Sequence, residues 1–124
     1  MPGKWTAIGA INGLLAVGLG AFAAHGLKNH VDPSKLLVFE TGVRFQMYHA
    51  FALMAASWVV AAKPSRSANA AAVFFLLGIT LFSGSLYLLT FYSWKWLGPV
   101  TPLGGLSLMI GWALLAVAAL RHPR

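Results

Sequence analysis

The chain has 124 residues, of which 59% are hydrophobic and only 9% charged, far from the roughly one-quarter charged composition of a soluble domain, so it reads as an integral membrane protein. It contains no cysteine, which excludes disulfides, thiolate nucleophiles and thiolate metal sites. The formal charge of +7 is dispersed over short segments between apolar runs and points to membrane topology and anionic lipid, not to nucleic acid.

Four runs, about 5–25, 44–62, 70–91 and 103–120, reach the roughly 17–25 residues that a helix needs to cross a hydrocarbon core. They predict an all-α membrane protein with one domain over 1–124: an antiparallel bundle of four transmembrane helices with an extended second helix. The first run imitates a signal peptide, with Lys4 ahead of it and Ala21-Phe22-Ala23 resembling a cleavage site. Its length and its patterned small residues favour a membrane span instead.

In that first run Gly9, Asn12, Gly13, Ala16 and Gly20 fall on one stripe, a flat face that lets another helix approach closely, with Asn12 bonding across it. His25 lies about 160° from the stripe. Gly26 is expected as a C-cap, with Lys28 and His30 at the negative end of the helix dipole.

Asp32 and Pro33 read as the N-cap and first residue of a helix that continues to Ala62, about 30 residues or 45 Å. The segment FETGVRFQMYHA, 39–50, loads that helix with polar groups as it enters its apolar run. Glu40, Arg44, Met47, Tyr48 and Phe51 share one face, and an ion pair between Glu40 and Arg44 is expected from their spacing. Gln46, His49 and Leu53 share another. Lys63-Pro64-Ser65-Arg66-Ser67 reads as a tight hydrophilic turn.

The third run carries Ser83, Gly84, Ser85 and Tyr87 in its last two turns. Tyr92, Trp94, Lys95 and Trp96 form an interfacial belt, and Gly98-Pro99 is expected to break the chain before Thr101-Pro102-Leu103-Gly104-Gly105 opens the fourth run. Gly104, Ser107, Gly111 and Ala118 make a second small-residue stripe.

Bases flanking the runs set the orientation. Lys4, Lys63, Arg66, Arg121 and Arg124 lie on one side, against Lys28, Lys35, Lys95 and marginally Arg44 on the other, so both termini are expected in the cytoplasm of a bacterial inner (plasma) membrane.

An up-down-up-down chain brings the unusual polar segments to the surface opposite the termini. The candidate site is therefore His25, Glu40, Arg44, Gln46, Tyr48, His49, Ser83, Ser85, Tyr87 and Thr101. These groups can act as structural ties that satisfy one another, or as a functional site, since ionisable groups inside membranes are often functional. A hydrolase is disfavoured because Ser83 and Ser85 lack an elbow motif and an Asp–His pair.

GAFAAHGL at 20–27, FETGVRFQMYHAFAL at 39–53, LGITLFSGSLYLL at 77–89 and TPLGGLSLMIGW at 101–112 resemble the signatures of DUF423, a family of small membrane proteins that has bacterial members and a human transmembrane relative. Ala23 stands where that family's pattern has glycine, Gly42 where it has alanine and Phe45 where it has tyrosine. The resemblance covers nearly the whole chain and implies four transmembrane helices, with no established activity.

The function expected from the residues is that of a non-enzymatic structural or accessory module in the lipid bilayer. It would pack with itself or with a larger membrane complex and take a lipid or quinone headgroup as ligand. No cofactor is called for by a motif, and CxxCH is absent. Two alternatives stay open: a haem or metal site on His25 and His49, and a proton-coupled transporter using Glu40, Arg44 and His49 as a relay.

Overall fold

Pro33 supplies a helical φ and needs no hydrogen-bond partner for its nitrogen, and from it an unbroken helix of 30 residues runs to Ala62. Asp32 occupies the N-cap position as expected, although its side chain makes no capping bond. The computed structural model describes residues 2–121, and Arg124, one of the bases counted for orientation, lies outside them. Among the described residues there are four α-helices: α1 Pro2–His25, α2 Pro33–Ala62, α3 Arg66–Phe91 and α4 Leu97–Leu120. All four are long and apolar enough to cross a membrane.

Three helix boundaries depart from the sequence reading, each for a local reason. Gly26 follows α1, but in a right-handed conformation, and the chain continues into a one-turn 3-10 helix, Leu27–Asn29, whose Leu27 is buried. The turn after α2 is shorter than KPSRS: Ser65 Oγ accepts the Ala68 N–H at 3.1 Å, so Ser65 caps α3 and draws Arg66 and Ser67 into the helix. Gly98-Pro99 does not break the chain. Pro99 falls in the first turn of α4, where N–H groups have no intrahelical partner to lose, and Pro102 forfeits only the bond to the carbonyl of exposed Gly98.

The helices pack in chain order, α1 on α2, α2 on α3 and α3 on α4, with a lighter contact between α2 and α4. The two expected small-residue stripes face these contacts. At Gly9 an added Cβ would stand 3.0 Å from the Ala50 carbonyl oxygen and 3.2 Å from the Leu53 Cβ, so α1 meets α2 there. At Gly104 a Cβ would run into the backbone nitrogen of Phe82, and at Gly111 it would come within 2.7 Å of the Phe75 ring, so α4 lies closest of all to α3. Lipid tails are as apolar as the side chains they would cover, so this fit is what holds apolar helices together in a membrane.

Two apolar clusters result. The larger, around Trp5, Leu53, Ala56, Val60, Ala72, Phe75, Ile79 and Leu108, fills the end nearer the termini. The smaller joins Ala23, Leu27 and Phe39 at the other end. Between them lies a layer of polar side chains.

Candidate functional site

That layer begins with Gln46, 5% exposed on the inner face of α2. Its Nε2 donates to Asn12 Oδ1 on α1 at 3.0 Å, and its Oε1 accepts the Tyr87 hydroxyl of α3 at 2.6 Å. Asn12 Nδ2 in turn donates to the Ile8 carbonyl at 2.9 Å. One amide thus ties three helices, with both of its ends used.

Gly42 makes room for this arrangement. A Cβ there would lie 2.8 Å from Tyr87 Cε1, so the absence of a side chain lets the phenol ring settle against α2. Ser83 Oγ donates to the Gly42 carbonyl at 2.7 Å, and the Tyr87 ring packs on Phe39 with centroids 4.9 Å apart.

His49 lies one turn deeper on the same helix and is 5% exposed. The indole N–H of Trp112 on α4 approaches its Nε2 at 3.0 Å, and the Phe45 carbonyl lies 2.7 Å from its Nδ1. An indole can only donate and a carbonyl can only accept, so Nε2 accepts and Nδ1 carries the hydrogen. Phe45, Phe75 and Trp112 surround the imidazole, with centroids 5.8–6.1 Å away.

Further ties repeat the pattern. Ser85 and Thr101 hydroxyls meet at 2.6 Å between α3 and α4, and Ser107 Oγ donates to the Phe74 carbonyl at 2.8 Å. At the end nearer the termini Thr6 and Ser57 hydroxyls meet at 2.5 Å, and Trp5 Nε1 donates to Asn69 Oδ1 at 3.2 Å. Two lysines at the ends of α2 close other helices: Lys35 Nζ donates to the Leu89 carbonyl, and Lys63 Nζ to the carbonyls of Ala119 and Arg121. These carbonyls are among those that a helix C-terminus leaves unpaired or lie just beyond it. Among the described residues no buried side-chain nitrogen or oxygen lacks a partner.

The ten residues predicted as one cluster therefore divide. Gln46, His49, Ser83, Ser85, Tyr87 and Thr101 form the interior layer. His25 is exposed at the end of α1, Arg44 and Tyr48 are exposed on the outer face of α2, and Glu40 is half-buried beside them. The expected Glu40–Arg44 ion pair does not form. Arg44 Nη2 donates instead to Thr41 Oγ1 at 3.2 Å, the guanidinium turning to the side of the helix away from Glu40.

The two alternative sites lose their geometry with this division. His25 is level with about Leu36, some 20 Å along the bundle from His49, whose two nitrogens are both engaged by protein. Among the described residues no group of three His, Cys, Asp or Glu side chains could hold a metal ion. The residues named for a relay are not brought together: His49 faces inward, about 140° round α2 from outward-facing Arg44.

Sequence reasoning missed Trp112, Gly42 and the two capping lysines. Trp112 and Gly42 sit inside motifs already singled out, but a tryptophan in the middle of an apolar span and a glycine within a helix do not by themselves name a partner.

Comparison with known proteins gives the same picture of the chain as a whole. Residues 19–105 match the family model DUF423, described as a protein of unknown function. The chain is 46% identical over 117 residues to the UPF0382 membrane protein YwdK of Bacillus subtilis (strain 168), covering 93% of this chain and 94% of that protein. It is 37% identical over 121 residues to a UPF0382 membrane protein of Haemophilus influenzae, covering 98% and 97% of the two chains. Against the UPF0382 inner membrane protein YgdD of Escherichia coli (strain K12) it is 37% identical over 115 residues, covering 93% and 88%. No solved structure matches. A membrane bundle of four helices whose motifs coincide with its polar layer, the chain belongs to the DUF423 family of small membrane proteins.

Proposed function

We propose that this protein is a non-enzymatic accessory module of a bacterial inner membrane, with both termini in the cytoplasm, that works by packing against other membrane protein. The observation that carries this reading is the closed interior. Among the described residues every buried side-chain nitrogen and oxygen has a hydrogen-bond partner within the chain, many of them on a neighbouring helix. A general base or nucleophile needs a lone pair directed at a substrate, whereas Gln46, His49, Ser83, Ser85 and Tyr87 are each engaged by a group on a neighbouring helix. Glu40, Arg44 and Tyr48 lie on the outward side of α2. The base count supports the orientation, and the name of the similar E. coli inner membrane protein supports the inner membrane.

The test is native mass spectrometry of the protein extracted from its own membrane with the surrounding lipid in polymer discs. The expected result is an assembly heavier than one chain at fixed stoichiometry. A single chain with no protein attached would overturn the reading.

A further inference from the structure

The outer face of α2 lies open between α1 and α4, which flank it without packing on each other to a comparable extent among the described residues. Down its centre run Leu37, Arg44, Phe51 and Trp58 at seven-residue intervals, the three apolar ones 58%, 67% and 72% exposed. Arg44 is about 28 Å of helix from Lys63, so with Lys63 at one interface its backbone lies just inside the far edge of a hydrocarbon core of about 30 Å. Glu40 lies one turn nearer that edge. The two opposite charges are thus close to each other on an exposed face, and neither pairs with the other.

We infer that this face binds a second copy of the chain, the two α2 helices running side by side about a two-fold axis along the membrane normal, with Glu40 of each copy paired to Arg44 of the other. The inference rests on the accessory-module reading and names the partner of its exposed face.

The geometry follows from the helical repeat. Seen down α2, Glu40 lies about 40° to one side of Arg44 and Thr41 about 60° to the other. A two-fold axis exchanges the sides. Glu40 of the second copy therefore arrives on the Thr41 side of the first, at the level of Thr41, and that is where the Arg44 guanidinium already points, held by its bond to Thr41 Oγ1. The same relation holds in the other direction, giving two equivalent ion pairs from a self-complementary patch. An anionic lipid headgroup would neutralise Arg44 but would sit beside the Glu40 carboxylate. A second copy neutralises both charges at once.

The chain has no cysteine, so single cysteines report contacts cleanly. Ala55→Cys lies about 20° from Arg44 on the open face, and Met109→Cys lies on the outer face of α4, where Met109 is 69% exposed. Each is reconstituted into phosphatidylcholine vesicles with or without phosphatidylglycerol and oxidised. Ala55→Cys should give a disulfide dimer in both compositions, and Met109→Cys should not. Adding Arg44→Glu sets like charges together and should lower the Ala55→Cys dimer yield about tenfold or more. Adding Glu40→Arg as well should restore it, which also shows that the swapped chain folds. A dimer insensitive to Arg44→Glu, one not restored by the double swap, one that needs phosphatidylglycerol, or cross-linking through Met109→Cys instead would each overturn the inference. So would a chain that stays single in the vesicles. If that single chain still carries other subunits when taken from its own membrane, the accessory reading stands without the dimer; if it carries none, both fall.

Discussion

Trp112 donates its indole N–H to Nε2 of His49 over 3.0 Å, and this bond, together with the Phe45 carbonyl at Nδ1, places the imidazole hydrogen on Nδ1. In Trp112→Phe the Nε2 lone pair loses its donor while Nδ1 keeps the Phe45 carbonyl. The expected loss is about 1–2 kcal/mol in thermal unfolding in one detergent. Nitrogen NMR of labelled histidine should show wild-type His49 held as the Nδ1–H tautomer. A mixed tautomer in the wild type would contradict the geometry.

The Gln46 amide should behave as a shared joint. Tyr87→Phe leaves Oε1 of Gln46 unpaired and Asn12→Ala leaves its Nε2 unpaired, each expected to cost about 0.6–2 kcal/mol. Gln46→Leu removes both bonds and strands both partners, so it should cost more than either. The combination of Gln46→Leu with Tyr87→Phe should fall well short of the sum, because the second change removes a hydroxyl that the first had already stranded. Additive losses across that pair would mean that the bond is absent in the membrane.

Packing predicts a ranking among glycines. Gly104→Ala must push α4 away from the Phe82 backbone and is expected to cost about 1–3 kcal/mol. Gly13→Leu intrudes on Ala50, whose Cβ is 4.0 Å from where a Cβ would stand, and should loosen the contact of α1 with α2. Gly18 has nothing within 4 Å, so Gly18→Leu should be tolerated. Equal losses for Gly13→Leu and Gly18→Leu would remove the stripe's claim to be the contact face.

Topology is open to labelling. Asn29 and Pro64 are exposed residues at opposite ends of α2, and neither serves as a side-chain cap, whereas Ser65 does. Asn29→Cys should react with an impermeant maleimide added outside spheroplasts, and Pro64→Cys only after the membrane is opened. Reaction of both from one side would refute the arrangement of spans.

The second helix was legible from end to end because its start is written in Asp32-Pro33 and its stop in Lys63-Pro64, signals that act within a turn of themselves. The stripes at Gly9 and Gly104 were legible for a related reason, since small residues at helical spacing have few other uses in a membrane. What escaped depended on relations between helices. The choice of Arg44 between Glu40 and Thr41, one turn away on either side, turns on side-chain direction and not on spacing. The partnership of His49 with Trp112 joins residues 63 positions apart, and no local pattern announces it. The prolines at 99 and 102 misled because the same residues stop a helix from within and start it from its first turns.

Biosynthesis meets the polar layer in a fixed order. As the chain emerges, α2 follows α1, and Asn12 is already in the membrane to receive the Gln46 amide. The other end of that amide must wait for Tyr87, and His49 Nε2 waits longer still, until Trp112 has been made. Of the four spans α2 is also the least apolar, so for a time it is the segment least suited to bare lipid. A nascent chain halted between α2 and α3 should therefore remain beside the insertion machinery, and its release into the bilayer should track the arrival of the last two helices.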